Sequence, residues 1–430
     1  MVVIRRVKIT NYKSLRDVEI HLSPLTVFIG PNAAGKSNLF DALGLFSRMA
    51  TAKNLKSAFD QHRGAPLEAF FYGEQGIEGL MALKTTQFTI EMDVELSPQV
   101  IRDVERRIQQ MREGLSRLSR QVVREAYLRY ILTIEMMTDS GHLRVLNEQL
   151  MALNRDGSLR QSRNPLIERA DGRLHLRMEG QAHPTYHDVG LDHTLVSTDL
   201  YAPHYPHIAA FKEELAHWRF YYLEPRAMRA DTPIKEVNTL EPSGADLAAF
   251  YNTLRAKAPA QYHAVERALD TLLPTVQRLE VEPDRQGMLQ LRIVEAGVPY
   301  SIRVISEGTL RVLALLAIVN PLAATTVIGY EEPENGVHPR RLKLIADLLK
   351  NAAGSGDTQI LVNTHSPVLP SYFEDEALVV CRKEAHGSTF VPFTLCKWPG
   401  DLFREREVAE ALEERPFAFT ERMIRGDFDG

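Results

Sequence analysis

The stretch Gly30-Pro31-Asn32-Ala33-Ala34-Gly35-Lys36-Ser37 decides the fold. It has the spacing of a phosphate-binding loop, in which a glycine is followed by four residues and then by Gly-Lys-Ser. The apolar residues 25–29 before it predict a buried strand, and residues 38–46 after it predict a helix. This strand–loop–helix context is the one that the motif requires, and it predicts an α/β fold of the P-loop NTPase class.

Each residue type in this loop suits a bound polyphosphate. Glycines let the backbone curl so that amide N–H groups point at the β- and γ-phosphates, Lys36 adds a mobile positive charge, and the Ser37 hydroxyl is a ligand for Mg²⁺. The helix that begins at Ser37 directs the positive end of its dipole at the same anion. We therefore expect ATP and Mg²⁺ to bind here. The predicted nucleotide-contacting residues of the loop are Gly30, Pro31, Asn32, Ala33, Ala34, Gly35, Lys36, Ser37 and Asn38.

The composition is that of a soluble globular protein. The chain has 430 residues, of which 44% are hydrophobic and 25% charged, so two or three domains are expected. A net charge of −5 gives no global signal for nucleic-acid binding, although a local basic patch remains compatible with it. Cys381 and Cys396 have no metal-binding spacing, and such sparse cysteine usage favours a reducing, cytoplasmic compartment.

The sequence predicts neither a secretory signal nor a membrane span. Residues 1–6 alternate like a strand and lack the apolar core of a secretory signal. The longest apolar stretch, residues 310–328, is interrupted by Arg311, Asn320 and Pro321. We interpret it as a buried helix, a turn and a buried strand.

The strands predicted before the loop, residues 3–9 and 17–22, alternate at period two and are expected to be edge strands that flank it. Lys13, in the polar turn between them, could either approach a nucleotide phosphate or face solvent. Further strands are predicted at 88–96, 130–136 and 143–153, whereas residues 50–86 show no clear pattern.

A long amphipathic helix is predicted from Pro98 to Arg129, and its polar face is rich in arginine. Two interpretations remain open for this face. It could contact nucleic-acid phosphates or a partner, or it could be a solvated surface packed on its own domain.

An irregular region follows at residues 154–206. His183 and His187 have a metal-like spacing, but Pro184 between them prevents a helix from placing them on one face, so a surface loop is expected. Helices follow at 211–222, 243–256 and 259–273, and strands at 276–281, 288–294 and 300–304.

Three further segments carry chemistry. Ser306 occupies an N-cap position before an apolar helix. A serine with free amides at a helix start can bind an anion, but the same residue alone is equally compatible with a plain N-cap. Glu331 and Glu332 follow a buried strand, where the first can hold Mg²⁺ and the second can polarise an attacking water. His365 follows another strand, where its ring can hydrogen-bond a γ-phosphate.

The order of these motifs resembles the ABC-type ATPase heads of the SMC and RecF-like group. More closely, it resembles their compact bacterial relatives, the AAA-family ATPases of the overcoming-lysogenization-defect type and of phage-defence systems. The resemblance covers residues 1–50 and 302–372. It implies a two-lobed ATPase head with a helical or mixed insertion. The resemblance implies four segments. Residues 1–96 would form the Walker A lobe, and residues 97–129 the helical insertion. Residues 130–275 would contribute further strands and an insertion, and residues 276–430 would carry the signature, Walker B and the switch histidine.

The resemblance also implies roles and an assembly. Residues 30–37 would be the Walker A loop, Ser306 to Gly308 the signature, Glu331 and Glu332 the Walker B pair, and His365 the switch histidine. Lys36, Glu332 and His365 are then the expected catalytic residues, and Ser37 and Glu331 the metal ligands. Lys13, Ser306 and Gly308 join the nucleotide-contacting residues. A head-to-tail homodimer is implied, in which the signature serine of one copy contacts the γ-phosphate held by the other.

The chain departs from the pattern of its relatives in three respects. Glu331 stands where many of them have aspartate, which changes the reach of the carboxylate to Mg²⁺. Glu307 replaces the usual signature glycine and brings a negative charge toward phosphate. The glutamine of the usual Q-loop is not identified by the sequence, and Gln61 and Gln87 are the candidates.

These features predict an ATPase that dimerises on ATP and gates a nucleic acid or a protein partner in DNA repair or phage defence. An alternative is a slow ATP-dependent sensor whose effector is a separate nuclease or toxin. A transporter subunit is disfavoured by the basic insertion and by the absence of a Leu-Ser-Gly-Gly-Gln signature. A nuclease domain is also disfavoured, because the Asp-x-Asp sequence Asp427-Phe428-Asp429 does not follow an apolar strand.

Overall fold

The computed structural model describes residues 1–73, 75–111, 122–181 and 183–396. The middle of the predicted 98–129 helix and the Asp427–Asp429 sequence lie outside these ranges.

The strands are β1 (Ile4–Tyr12), β2 (Leu15–His21), β3 (Leu25–Ile29), β4 (Thr85–Glu95), β5 (Tyr127–Met137), β6 (Leu143–Ala152), β7 (Ile167–Ala170), β8 (Arg173–Leu176), β9 (Thr185–Asp188), β10 (Trp218–Tyr221), β11 (Thr232–Pro233), β12 (Val276–Pro283), β13 (Met288–Glu295), β14 (Val298–Ser301), β15 (Val327–Glu331), β16 (Gln359–Thr364), β17 (Leu378–Glu384) and β18 (Gly387–Pro392). The helices are α1 (Lys36–Thr51), α2 (Leu55–Phe59), α3 (Gly76–Met81), α4 (Pro98–Met111), α5 (Pro206–Ala216), α6 (Pro225–Met228), α7 (Leu247–Lys257), α8 (Pro259–Leu272), α9 (Glu307–Ile318) and α10 (Leu342–Gly354).

A central sheet carries the phosphate loop. Its strand order is β10-β15-β16-β3-β17-β18, and its pairings are parallel except for the last, between β17 and β18. Alternate residues of β3 enter different cores: Phe28 packs in one, and Val27 and Ile29 pack in the other. The sheet is therefore covered on both faces, which explains why its central strands β3, β15 and β16 are buried along almost their whole length and show no polar alternation.

An antiparallel sheet forms the first covering layer. Its order is β2-β1-β4-β5-β6-β7-β8-β9, and helix α1 packs between it and the central sheet. The ring of Phe46 on α1 illustrates this position, because it contacts Tyr130 of β5 and stacks on Trp218 of β10. The buried side chain of Gln359 joins the two sheets, since its Oε1 accepts hydrogen bonds from the amides of Val3 and Ile4 at 3.1 and 2.7 Å.

The second covering layer combines helices with a small sheet. Helices α7, α8, α9 and α10 contribute to the core on the other face of the central sheet. The antiparallel strands β11, β12, β13 and β14 pair beside them. Within the described ranges, none of the helices has both the length and the apolar character needed to cross a membrane.

Several predicted elements need correction. Strands β1 and β2 do not flank the phosphate loop within its sheet, because their polar-apolar alternation suits the antiparallel sheet, where β1 lies between β2 and β4. The predicted helix 98–129 is helical only to Met111 in its described part, and residues 127–129 begin β5. The predicted helix 211–222 ends at Ala216, because residues 218–221 pair in parallel with β15. The region 154–206 contains three short strands that extend the antiparallel sheet.

One histidine that follows this region is buried. His207, on α5, is only 1% exposed, and its ring lies 2.7 Å from a carboxylate oxygen of Glu179. It is therefore a core residue. Among the described residues, no group of three or more His, Cys, Asp or Glu side chains could hold a metal ion.

Glu148 on β6 is a buried carboxyl group within the antiparallel layer. It accepts hydrogen bonds from the Tyr130 hydroxyl at 2.8 Å and from the amides of Leu195 and Val196 at 2.7 and 3.0 Å. Burial raises its pKa to about 7, although these hydrogen bonds act in the opposite direction. The folded protein therefore holds a proton on Glu148 at pH values where the unfolded chain has released it.

We predict that the free energy of unfolding falls as the pH rises from about 4.5 to about 7, by on the order of 2–3 kcal/mol from this group. The sign follows because the pKa of Glu148 is higher in the folded state. Urea unfolding of the wild type and of Glu148→Gln across this range measures the effect, with the exposed Glu376→Gln as control. A wild-type-minus-Glu148→Gln difference that does not change with pH would contradict the prediction.

Candidate functional site

The phosphate loop joins β3 to α1, and its glycines are required by close contacts. A Cβ atom added to Gly30, at φ +148°, would lie 2.2 Å from the carbonyl oxygen of Cys381. One added to Gly35, at φ +100°, would lie 2.1 Å from the hydroxyl of Ser388. The contact at Gly30 is with backbone and cannot be relieved, and the one at Gly35 would require Ser388 to move. Both positions also have a positive φ that favours glycine. The loop therefore keeps its curled path because β17 and β18 pack directly against it.

Lys36 is a buried cation held against the loop. Its Nζ donates to the carbonyl oxygens of Gly30 and Pro31 at 2.7 and 2.8 Å, and it lies 3.1 Å from Nδ1 of His365. Burial lowers its pKa to about 8, although nearby carboxylates such as Glu332 act in the opposite direction. A buried ammonium that is satisfied mainly by carbonyl dipoles favours an anionic ligand.

The acidic pair ends strand β15. Glu331 is 3% exposed, and its Oε1 lies 2.5 Å from Nη2 of Arg63. Glu332 has a left-handed backbone, with φ +51°, and its amide donates to the carbonyl of Asn363 at 2.7 Å. Such a conformation is unfavourable for glutamate and turns the chain sharply at this point. The two adjacent carboxylates therefore have different surroundings: Glu331 contacts Arg63, and Glu332 approaches His365.

His365 lies between a cation and a carboxylate. Its Nδ1 faces Nζ of Lys36 at 3.1 Å, and its Nε2 lies 3.5 Å from Oε1 of Glu332. Burial and the charge of Lys36 lower the pKa of His365, so the ring is neutral at physiological pH. Nε2 is the ring nitrogen that faces Glu332.

Asn363 connects the two predicted metal ligands. Its Nδ2 donates to Oγ of Ser37 at 3.2 Å and to Oε2 of Glu331 at 3.3 Å. Its Oδ1 is buried and has no hydrogen-bond partner among the described residues. Hydroxyl, carboxylate and carboxamide oxygens are the ligands that Mg²⁺ prefers, and a magnesium-bound water would satisfy the orphaned oxygen. The residues present therefore fit a magnesium ion.

Lys13 contacts α1 in the structure. Its ammonium pairs with Asp41 and donates to the carbonyl of Arg63 at 3.1 Å. It nevertheless lines a cavity of about 990 Å³ beside the loop, together with Asn38 and Arg63. Asn38 hydrogen-bonds Ser14 through Nδ2 at 2.8 Å. Lys13 is thus close to the loop, but it is bound to a carboxylate and does not face open solvent.

Ser306 caps α9, as its sequence position predicts. Its Oγ accepts a hydrogen bond from the amide of Thr309 at 3.2 Å, and both Ser306 and Glu307 are exposed. A Cβ atom on Gly308 would lie 2.4 Å from the carbonyl oxygen of Gly336. Within the described part of the chain, the hydroxyl of Ser306 hydrogen-bonds Thr309 and not Lys36, Glu331 or His365. The structure of one copy thus leaves this helix start open to another molecule.

Sequence reasoning missed Arg63, Asp41 and Asn363. Arg63 lies in the stretch 50–86, where no periodicity marks a functional position, and its guanidinium also stacks on Tyr222 at 5.0 Å. Asn363 was detectable, because a polar residue at the carboxyl end of a buried strand beside His365 is a standard place for a ligand.

Lys36 on its loop, with an acidic pair and a histidine at the ends of neighbouring parallel strands, defines a P-loop ATPase of the ABC type. Residues 153–371 match a protein family described as "AAA domain, putative AbiEii toxin, Type IV TA system". Residues 3–134 match another, described as "AAA ATPase domain". The first match covers just over half of the chain, and the chain belongs to this AAA-domain family.

Individual relatives agree with this class. The DNA replication and repair protein RecF of Phocaeicola vulgatus is 36% identical over 78 residues, which cover 17% of this chain and 21% of RecF. The chain thus matches about a fifth of that relative's length. Among solved structures, the SMC head bound to the C-winged helix domain of ScpA has a TM-score of 0.54 at 12% identity, over 90% of this chain and 97% of that one.

The SMC head domain from Thermotoga maritima has a TM-score of 0.42 at 12% identity, over 91% of this chain and 98% of that one. The likeness at TM-score 0.54 shows that the fold is that of an SMC head. Together with the family matches, it identifies the chain as an SMC/RecF-like ATPase that binds nucleotide. The predicted class and α/β fold are therefore confirmed, whereas the roles of individual residues stay predictions.

We predict that Asn363→Ala raises the Mg²⁺ concentration needed for half-maximal ATP hydrolysis by about 10- to 100-fold, because Ser37 and Glu331 lose the amide that aligns them. Magnesium titrations of ATPase activity measure this change. Asn351→Ala, at an exposed position of α10, is the matched control. An unchanged magnesium dependence in Asn363→Ala would exclude a role for this residue at the metal.

Proposed function

We propose that this ATPase binds Mg²⁺·ATP in the loop from Gly30 to Ser37 and that hydrolysis, or nucleotide-driven closure of a dimer, gates a nucleic-acid or protein partner. The observation that carries the proposal is the position of the His365 ring, 3.1 Å from Nζ of Lys36 and 3.5 Å from Oε1 of Glu332. A phosphate-binding cation, a phosphate-sensing ring and a water-orienting carboxylate thereby share one site.

The assigned roles follow from the needs of phosphoryl transfer. In-line attack of water on the γ-phosphate requires positioning and charge neutralisation more than covalent catalysis. Lys36 neutralises phosphate charge, Glu332 orients the attacking water, and His365 hydrogen-bonds the γ-phosphate. Ser37 and Glu331 would hold Mg²⁺, which supplies further charge neutralisation when bound.

Two contacts must change when nucleotide binds. Arg63 contacts Glu331 at 2.5 Å, so a metal ion at this carboxylate competes with the guanidinium. Lys13 must leave Asp41 to reach a phosphate. The longer side chain of Glu331, compared with aspartate, lets its second oxygen stay at 3.3 Å from Asn363 while the first contacts Arg63.

We predict that Glu332→Gln lowers kcat for ATP hydrolysis by about 100-fold or more and leaves the ATP dissociation constant unchanged, because the variant keeps the loop but loses the base. Lys36→Ala should instead weaken ATP binding by about 10- to 100-fold, since it removes a charge-assisted hydrogen bond. Turnover assays and calorimetry measure both, with the exposed Lys343→Ala as control. Rapid hydrolysis by Glu332→Gln would remove Glu332 from this role.

The proposed assembly is a head-to-tail homodimer in which Ser306 of one copy contacts the γ-phosphate bound by the other. The exposed, capped start of α9 supports this, because its free amides can bind an anion that its own loop does not hold. Glu307 lies in the first turn of this helix. Its charge opposes the approach of phosphate and would make closure weaker than with glycine at this position.

Mixing inactive variants tests the dimer. In a head-to-tail dimer, a Lys36→Ala copy paired with a Ser306→Arg copy forms one intact composite site, so an equimolar mixture should regain about a quarter of the wild-type sites. A mixture of Lys36→Ala and Glu332→Gln is the matched control, because both defects lie on the same side of each site and no intact site forms. Failure of the first mixture to regain activity would contradict the composite site.

Two biological roles are supported by different comparisons. The match to a DNA replication and repair protein favours action on nucleic acid. The family description that includes a toxin of a toxin–antitoxin system favours the alternative, a slow ATP-dependent sensor that controls a separate nuclease or toxin. On α4, Arg106 pairs with Asp103 and Arg107 pairs with Glu213, so part of the basic surface proposed for nucleic acid is already neutralised.

ATP turnover with and without single- and double-stranded DNA separates these roles. Stimulation by DNA supports the repair role, and reversal of the charge at Arg102 on α4 should then reduce it. An ATP turnover rate that DNA does not change, together with co-purification of a nuclease or toxin, supports the sensor role.

A further inference from the structure

Glu334, three residues after Glu331, makes an unusual set of hydrogen bonds. Its Oε1 accepts from the Thr364 hydroxyl at 2.6 Å and from the amides of His365 and Ser366, both at 3.0 Å. One carboxylate oxygen thus binds three consecutive residues, and the middle one carries the imidazole of the site.

The second carboxylate oxygen of Glu334 makes no such hydrogen bonds among the described residues. Oε2 is buried and has no hydrogen-bond partner among the described residues. The three donors that Oε1 binds all belong to the segment that carries His365. This arrangement points to a role for Glu334 in placing that segment.

The three hydrogen bonds determine where the ring of His365 lies. With the backbone of residues 364–366 held, only the two side-chain torsions of the histidine remain free to set the ring's position. The ring contacts Lys36 at 3.1 Å on one side and approaches Glu332 at 3.5 Å on the other. Glu334 lies in the same turn as Glu332, so one short segment orients the water-activating carboxylate and anchors the histidine opposite it.

We propose that Glu334 is a positioning residue for ATP hydrolysis, which holds the ring of His365 opposite Glu332 at the γ-phosphate. The inference rests on the proposed function, because it assigns Glu334 to the hydrolysis step carried out by those two residues. It adds a residue that touches neither nucleotide nor metal and acts through the histidine alone.

Three substitutions distinguish the length of the Glu334 side chain from its charge as the property that supports hydrolysis. Glu334→Ala removes the acceptor and should lower kcat by about 100-fold, the size of loss expected when a reacting group is displaced by about 1 Å. Glu334→Gln keeps an oxygen at the same distance and should retain kcat to within about fivefold. Glu334→Asp keeps the charge but is one methylene too short, and it should resemble Glu334→Ala. The ATP dissociation constant should stay within about threefold of wild type in all three, because Lys36 and the loop are intact.

A double-mutant cycle tests whether Glu334 acts through the histidine. His365→Ala and the double variant Glu334→Ala/His365→Ala should turn over ATP at the same rate, since removing the anchor has no further effect once the ring is gone. Glu376→Ala, at an exposed position after the histidine segment, is the control and should behave as wild type. Losses that multiply in the double variant would overturn the proposal.

The remaining outcomes are also decisive. Loss of turnover in His365→Ala with wild-type turnover in Glu334→Ala overturns this inference and leaves the proposed function intact. Wild-type turnover by His365→Ala overturns both the role of the histidine and this inference. If Glu334→Ala does not fold, the other two variants decide, because an active Glu334→Asp with an inactive Glu334→Gln would show that charge and not reach matters.

Discussion

The parallel register of three buried strands is the constraint on which the site depends. Thr364 of β16 pairs with Ile29 of β3, and Asn363 pairs with Glu331 of β15. Three strands that run in the same direction and end level with one another deliver their next residues to one edge of the sheet. The phosphate loop, Glu332 and His365 are those next residues, so their proximity follows from strand pairing and needs no specific attraction between them.

Burial of this edge creates an electrostatic cost that the chain offsets locally. Lys36 and Glu331 are almost fully buried, at 2% and 3% exposure. Carbonyl dipoles of the loop stabilise the ammonium, and Arg63 neutralises the carboxylate. In the proposed function, Mg²⁺·ATP would bring phosphate to Lys36 and a metal ion to Glu331. Nucleotide binding would therefore replace contacts within the protein by stronger ones and release Arg63.

The parts of this arrangement that were predictable from sequence are local ones. A few neighbouring residues are enough to predict the phosphate loop from its glycine spacing, the strands before residues 30, 331 and 365 from their apolar sequences, and the N-cap at Ser306. The structure has each of these elements at the predicted place. The order of the antiparallel sheet and the strand at Trp218 depend on partners far along the chain, which no local pattern encodes. Arg63 reaches the site from an aperiodic stretch, and its role is visible only from its contact with Glu331.

A crystal structure with magnesium and a non-hydrolysable ATP analogue tests the central claim most directly. The account predicts that the γ-phosphate lies within hydrogen-bond distance of Lys36 and His365, that the metal contacts Ser37 and Glu331, and that Arg63 has left Glu331. An analogue bound elsewhere, or bound in the loop with the metal distant from Ser37 and Glu331, would contradict it.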